Sequence, residues 1–201
     1  MIAITELPPE LQQQVIEREL TAGQILFQQG DPAEFMFWVE SGLLKMVSFT
    51  EQQMIIYYTV GVGESLAETA LNLETYSCTV MAEQPSRVLA IPKDGFLEAW
   101  QQSPNLCTRY VCHLTQRFES VKQLLELRSI RSARNRLLHY LTKQCLPGQS
   151  TVPLTTSVKV LATNLGMSPE VLSRTFSQLE SEQILSRKKG SVTLLADWLG
   201  P

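Results

Sequence analysis

Three polar residues near the start of one predicted helix, Glu170, Ser173 and Arg174, are of the types that read DNA bases. An arginine can donate two hydrogen bonds to guanine, a glutamate can accept one from cytosine, and a serine can bond either way. Such groups reach base edges from the first turns of a helix that enters the major groove. The alternative is that Glu170 and Arg174 form an ordinary surface pair on a helical hairpin inside a core. We expect the three residues to read bases.

The surrounding segment, residues 157–185, has the pattern of a helix-turn-helix. Ser157 is placed to cap a first helix, and Gly166 can adopt the left-handed conformation of a turn. Ser168 followed by Pro169 then begins the second helix, where the missing N–H of proline costs nothing. The combination of two caps and a turn glycine favours DNA binding over an ordinary hairpin.

A basic hairpin is expected after the second helix. Arg187, Lys188 and Lys189 stand at its predicted tip, and cations there suit DNA phosphates better than bases. Ser157 and Ser168 are also expected to contact phosphates, because they lie at helix N-termini.

The segment GVGESLAETALNLETYSCTV, residues 61–80, has the layout of a pocket lip. A glycine turn leads into acidic residues, and a polar loop leads into a strand-like exit. Such a lip could hold a small polar ligand.

Residues 104–128 are predicted to form one long helix with an apolar seam. Its apolar residues recur at alternating steps of four and three, which is the spacing of a coiled coil. The seam consists of Cys107, Val111, Leu114, Phe118, Val121 and Leu125. We expect it to form a homodimer interface; the alternative is a long core helix without a partner.

The 201 residues divide into halves of opposite charge. Residues 1–100 hold 4 Lys/Arg and 14 Asp/Glu, a net charge of −10. Residues 101–201 hold 13 Lys/Arg and 6 Asp/Glu, a net charge of +7. Because cationic side chains neutralise phosphates, double-stranded DNA is the expected partner of the second half.

Several protein classes are disfavoured by missing patterns. The sequence has no Ser/His/Asp grouping, no P-loop and no CxxC pair, and only two histidines. We therefore expect neither catalysis nor a metal site. An apolar stretch of eighteen residues and a secretory signal are also missing, so we expect a cytoplasmic protein that is not inserted in a membrane.

The fold class expected from these patterns is α+β. After Gly23, runs rich in β-branched and aromatic residues alternate with turn signals, which predicts a β-sandwich or a β-barrel. A helix is expected before it, over residues 8–20. The barrel is followed by the long helix and by a winged helix-turn-helix.

Taken in order, these motifs resemble the CRP/FNR family of bacterial transcription regulators, named for the cyclic-AMP receptor protein and the fumarate–nitrate regulator. Residues 23–32, GQILFQQGDP, are similar to the opening barrel motif of the family, and residues 37–45, FWVESGLLK, to its next strand-turn-strand. Glu170, Ser173 and Arg174 match the E-x-x-S-R base readers of the fumarate–nitrate branch.

The resemblance implies three domains: a cyclic-nucleotide-binding-like sensor domain, a β-barrel of the jelly-roll type, over residues 1–103, a dimerisation helix over 104–128 and a winged helix-turn-helix over 129–201. It also implies a homodimer on a palindromic site with half-sites near TTGA(T), and RNA polymerase as a partner. No cysteine precedes Cys78, so the iron–sulfur centre of oxygen-sensing relatives is not expected.

The loop at residues 61–80 departs from the effector-binding pattern of the family. Cyclic-nucleotide binders carry in this loop a Gly-Glu pair for the ribose and Arg-Ser or Arg-Thr for the cyclic phosphate, whereas here the pairs are Ala67-Glu68 and Tyr76-Ser77. The resemblance thus makes Glu68, Tyr76 and Ser77 the effector-pocket candidates, with Glu68 still able to bond a ribose hydroxyl. Without the arginine a cyclic phosphate loses its charge-assisted partner, so we do not expect cyclic AMP to be the effector.

Three alternatives stay open for the sensor. Haem is one, with His113, Cys78 and Met81 as candidate ligands, although an ordinary surface or helix-packing histidine is the simpler interpretation of His113. A small anionic metabolite is another, and it would need a cation, for which the candidates are Lys45, Arg87 and Lys93. The third is no ligand at all. A rival function is a cyclic-nucleotide-type or haem-binding regulatory protein that acts mainly through protein contacts.

Overall fold

The computed structural model describes residues 4–195, and the chain divides into two compact units between Phe118 and Glu119. Residues 1–3 and 196–201, the ends of the first and last predicted domains, lie outside the described residues. Within residues 4–195, no helix combines the length and apolar character needed to cross a bilayer.

The first unit is built on two four-stranded antiparallel sheets. The strands are β1 (Ile16–Leu20), β2 (Ile25–Phe27), β3 (Phe35–Ser41), β4 (Leu43–Phe49), β5 (Met54–Gly61), β6 (Ser65–Leu66), β7 (Thr79–Ala82) and β8 (Ser86–Pro92). Their order is β1-β8-β3-β6 in one sheet and β2-β7-β4-β5 in the other. Side chains of both sheets share one core. The predicted barrel is thus a roll of two sheets.

The helix predicted over residues 8–20 is wrong for most of its length. Helix α1 spans only Pro9–Gln12, and strand β1 follows it. Strand β1 pairs with β8, with Ile16 opposite Ala90 and Leu20 opposite Ser86. Backbone hydrogen bonds to a distant strand outweigh the helix propensity of this glutamate-rich stretch, as tertiary context commonly does.

A second core lies between the roll and its helices, α2 (Lys93–Gln102) and α3 (Pro104–Ser129). Two 3-10 helices, Ile4–Glu6 and Glu68–Leu71, also belong to this unit. The rings of Phe96 in α2 and Tyr110 in α3 meet edge to face, with centroids 4.8 Å apart. The first turns of α3 are therefore fixed against the roll.

The second unit is a winged helix-turn-helix. Its elements are α4 (Ala133–Gln144), β9 (Thr151–Pro153), α5 (Val158–Leu165), α6 (Pro169–Ser181), β10 (Leu185–Lys188) and β11 (Ser191–Leu194). The strands form one antiparallel sheet in the order β10-β11-β9. Its core includes Leu137, Leu165, Phe176 and Val192. The predicted order of β-roll, long helix and helix-turn-helix is confirmed.

Candidate DNA-binding surface and effector pocket

Both helices of the helix-turn-helix begin at the predicted caps. The backbone N–H of Val160 donates to Ser157 Oγ, and that of Val171 donates to Ser168 Oγ, each at 3.3 Å. Gly166 ends α5 with φ of +63°, a left-handed conformation that strains residues with a side chain. The turn between α5 and α6 is therefore set by local chemistry that is readable in the sequence.

Helix α6 presents its two faces to different environments. Leu172, Phe176 and Leu179 are buried in the core of the second unit. The three predicted base readers lie on exposed positions of the same helix: Glu170, Ser173 and Arg174. A hydrogen bond from the Ser168 side chain holds the pKa of Glu170 below its usual range, so this carboxylate is charged at neutral pH. The exposed face thus carries one anion, one hydroxyl and one cation.

Two arginines that the sequence reasoning missed fix the turn from behind. Arg136 donates from Nη1 to the carbonyl of Leu165 at 2.8 Å and from Nη2 to that of Ile130 at 2.7 Å. Arg128 donates from Nη2 to the carbonyl of Thr163 at 2.9 Å. These carbonyls belong to the C-terminal turn of α5 and to the hinge after α3, where a helix leaves acceptors without partners. The two guanidinium groups supply the missing donors.

The wing carries the predicted phosphate contacts, in two different settings. Arg187 in β10 donates to Glu180 Oε2 at 2.6 Å, and its Cζ lies 5.0 Å from the centre of the Phe176 ring. Lys188 ends β10 and Lys189 begins the turn that follows, and both are exposed. The Arg187 guanidinium is thus held against α6, while the two lysines are open to solvent.

The seam of α3 divides between the inside and the outside of the molecule. Cys107 accepts a hydrogen bond from the indole of Trp100, and Leu114 packs on the core beside the roll. The other four seam residues are exposed by 41–71%: Val111, Phe118, Val121 and Leu125. Three of these are spaced by seven residues, so one stripe of α3 is apolar and open.

Tyr76, one of the three effector-pocket candidates, is buried inside the roll. Its ring stacks on Phe27 with centroids 3.8 Å apart. Its hydroxyl donates to the carbonyl of Phe35 at 2.9 Å and accepts from the N–H of the same residue at 3.2 Å. Ser77, in contrast, is exposed. Where the resemblance places an arginine, this chain has an aromatic core residue with a satisfied hydroxyl.

Glu68 lies at one end of a hydrogen-bonded line that reaches helix α3. Ser65 Oγ donates to the Glu68 carboxylate and lies 2.6 Å from Nε2 of His113. Since the serine has only one proton to give, His113 is the donor in its bond to Ser65. Burial lowers the pKa of His113, so the imidazole is neutral at pH 7.

Arg117, four residues beyond His113 on α3, approaches Glu68 and a second carboxylate, Glu64. Its Nη1 donates to Glu64, and its Nε lies 3.8 Å from Glu68 Oε1. Its Cζ lies 5.5 Å from the centre of the Tyr58 ring, and only 13% of its side chain is exposed. The sequence reasoning missed Arg117, because Glu64 is 53 residues away along the chain.

The residues considered for haem lie on two elements. His113 is on α3 and is bonded to Ser65. Cys78 directly precedes strand β7, and Met81 lies within that strand. In the part of the chain that the structure describes, no three His, Cys, Asp or Glu side chains gather as a metal site would require.

The cations considered for an anionic metabolite are engaged by carboxylates. Lys45 lies 2.8 Å from Glu83. The other two pairs are Arg87 with Glu40 at 3.2 Å and Lys93 with Glu74 at 3.7 Å.

Two family models match the chain, and together they span most of it. Residues 17–103 match the cyclic nucleotide-binding domain, and residues 135–198 match the Crp-like helix-turn-helix domain. The first match coincides with the roll and the second with the winged helix-turn-helix, so sequence and architecture agree.

Known transcription regulators are similar to this chain over most of its length. The chain is 26% identical over 187 residues to the transcriptional activator protein anr of Pseudomonas aeruginosa, covering 89% of this chain and 76% of that protein. It is also 26% identical over 193 residues to the fumarate and nitrate reduction regulatory protein of Vibrio cholerae, covering 90% of this chain and 76% of that one. The solved structure of FixK2 from Bradyrhizobium japonicum superposes with a TM-score of 0.69 at 15% identity, covering 90% of this chain and 93% of that one.

Proposed function

Because the chain belongs to the CRP/FNR family of transcription regulators and carries the DNA-binding domain of that family, we propose that it binds a palindromic DNA site as a homodimer. The observation that carries this proposal is the exposed trio of Glu170, Ser173 and Arg174 on the first turns of α6. The opposite face of the helix is buried, so the trio is the face left for a major groove.

We assign base reading and phosphate contact to separate groups. Arg174 and Glu170 are the proposed readers of guanine and cytosine, and Ser173 adds a hydroxyl that bonds either base edge. The proposed phosphate contacts are Ser157, Ser168, Arg187, Lys188 and Lys189. Among these, Arg187 is paired with Glu180, so a phosphate would share its guanidinium with that carboxylate.

The homodimer would form through the open stripe of α3. Val111, Phe118 and Leu125 repeat every seven residues and are exposed, which suits packing against a second copy of the helix. Cys107 and Leu114 face their own unit and would contribute less. We accordingly propose a functional division into a sensor over residues 1–103, a dimer helix over 104–128 and a DNA-binding domain over 129–201.

As a regulator of this family, the protein would act in the cytoplasm and meet RNA polymerase at promoters. Its sensor roll would not take cyclic AMP, since Tyr76, where the resemblance places an arginine, is a buried ring that brings no cation to the phosphate. Titration calorimetry with cyclic AMP is expected to show no binding heat. Micromolar binding that is lost in Glu68→Gln would contradict this assignment.

The main proposal is tested by selection from random double-stranded DNA, combined with light scattering of the free protein. We expect a two-fold symmetric sequence with half-sites one helical turn apart, and the mass of a dimer. Recovery of an asymmetric site, or a monomer that binds DNA equally well, would contradict the proposed homodimer.

A further inference from the structure

We infer that Arg117 of helix α3 acts as a built-in ligand of the sensor roll and holds the dimer helix in its DNA-binding position without a bound effector. The inference rests on the proposed function, since it concerns the regulation of that same DNA-binding protein. It is carried by a cluster of side chains from two elements that the sequence did not connect.

The cluster joins one short segment of the roll to one face of α3. Glu64, Ser65 and Glu68 come from the segment after β5, and His113 and Arg117 come from successive turns of the helix. Residues four apart on a helix lie on one face, so both helix side chains reach the same segment together. The turn that carries Glu64 is itself fixed, because Oε2 of this carboxylate accepts the N–H of Gly61 at 2.7 Å.

The charges of the cluster fit a cation better than an anion. Glu64 and Glu68 bring two negative charges, and Arg117 brings one positive charge to both of them. These three side chains together carry a net charge of −1. A cyclic phosphate in the cluster would add a second negative charge, in a half-buried place where screening by water is incomplete. Glu68, which the resemblance assigns to a ribose hydroxyl, is already bonded by Ser65.

Aromatic rings of the chain pack on the roll side of the cluster. Tyr76 is 6% exposed and lies in the core of the roll, and Tyr58 packs on that core beneath the Arg117 guanidinium. On the roll side, Arg117 therefore meets the chain's own carboxylates and a tyrosine ring.

Residues on the same face of α3, nearer to the start of the helix, also pack against the rest of the first unit. Leu106 and Tyr110 are buried in the core beside the roll, and His113 and Arg117 follow them at steps of three and four. The exposed stripe with Phe118 lies on another face. Contacts within the first unit thus fix the rotation of residues 104–118 of α3, and with it the face on which Val111 and Phe118 are exposed.

The test uses the full chain freed of small molecules by unfolding in urea and refolding by dialysis. Affinity for the selected palindromic DNA is measured with and without added cyclic AMP. We expect the refolded protein to bind as tightly as the protein purified without unfolding, and cyclic AMP to change nothing. Arg117→Gln should weaken specific binding about tenfold, because two carboxylates lose their cation.

Matched variants separate positioning from folding. Arg109→Gln removes another arginine of α3, one that pairs with Glu6 on the surface at 2.6 Å, and it should leave DNA affinity unchanged. Arg117→Lys keeps the charge and should restore part of the specific affinity. Combining Glu64→Gln with Arg117→Gln should cost less than the sum of the single changes, because both remove the same contact.

The outcomes distinguish this inference from the proposed function. If the refolded protein binds its palindrome only after cyclic AMP or another small molecule is added, the built-in ligand is wrong and the DNA-binding function stands. If no DNA is bound under any condition, the proposed function fails. In either case, hydrogen exchange over residues 104–118 tests the Arg117 contact without DNA. Faster exchange in Arg117→Gln than in Arg109→Gln supports the contact, and equal exchange in the two variants overturns it.

Discussion

The two units use the same residue types, a glutamate and an arginine, for different purposes. In the first unit Glu64 and Arg117 meet in a half-buried contact that ties a helix to the roll. In the second unit Glu170 and Arg174 lie exposed on successive turns of α6, where water or a DNA base can reach them. Residue type is therefore a poor guide to role, and burial of the side chain decides it.

From this difference we expect the buried side chains of the first unit to control stability, and the exposed side chains of the second unit to control DNA binding.

The largest effect is expected for Tyr76→Ala. It should lower the free energy of unfolding by about 3–5 kcal/mol, because it leaves a cavity beside Phe27 and removes the hydrogen bonds to Phe35. Urea unfolding followed by circular dichroism measures it. Tyr57→Ala, at a strand position that is 40% exposed, is the control and should cost far less.

Arg174→Ala tests the outward side of the comparison. It should reduce affinity for the selected palindrome by roughly 10- to 100-fold, since a bidentate arginine–guanine contact contributes about 1–3 kcal/mol of discrimination. Stability in urea should not change. Affinity for random DNA serves as the internal control, and an equal loss on both DNAs would assign Arg174 to phosphate contact.

The exposed wing lysines are expected to act through the phosphate charge alone. Changing Lys188 and Lys189 to Gln should weaken binding to every sequence and reduce the slope of log affinity against log salt by about 0.9 for each lost contact. Fluorescence anisotropy at several salt concentrations measures the slope. Lys143→Gln, which removes a cation of α4 that is paired with Glu126, should leave the slope as it was.

The smallest effect is expected for the pH dependence of the first unit. Burial depresses the pKa of His113 below its ordinary value of 6.5, so the unfolded chain binds the proton more readily. The free energy of unfolding should therefore fall as the pH drops below about 6.5. The charges of Glu68 and Glu64 reduce this fall, because they raise the pKa of His113, and the charge of Arg117 increases it, because it lowers that pKa. In His113→Gln, which keeps a donor for Ser65, this fall should be smaller; an unchanged pH profile would show that another group causes it.

The parts of the fold that the sequence predicted well are those specified within a few residues. The helix-turn-helix depends on Ser157, Gly166, Ser168 and Pro169, each of which acts on its own turn of chain. Strands bounded by turn signals were predicted for the same reason. Strand β1 was missed, because it is stabilised by pairing with β8, some seventy residues later.

The sequence by itself determined the order of domains, the capped helices and the exposed trio on α6, since local chemistry and family motifs encode all three. Only the tertiary structure decided that Tyr76 points inward, that Arg128 and Arg136 cap the turn, and that Arg117 meets Glu64. The physical reason is distance along the chain. A charged side chain takes its role from whichever partner folding brings to it, and sequence spacing carries no record of that partner.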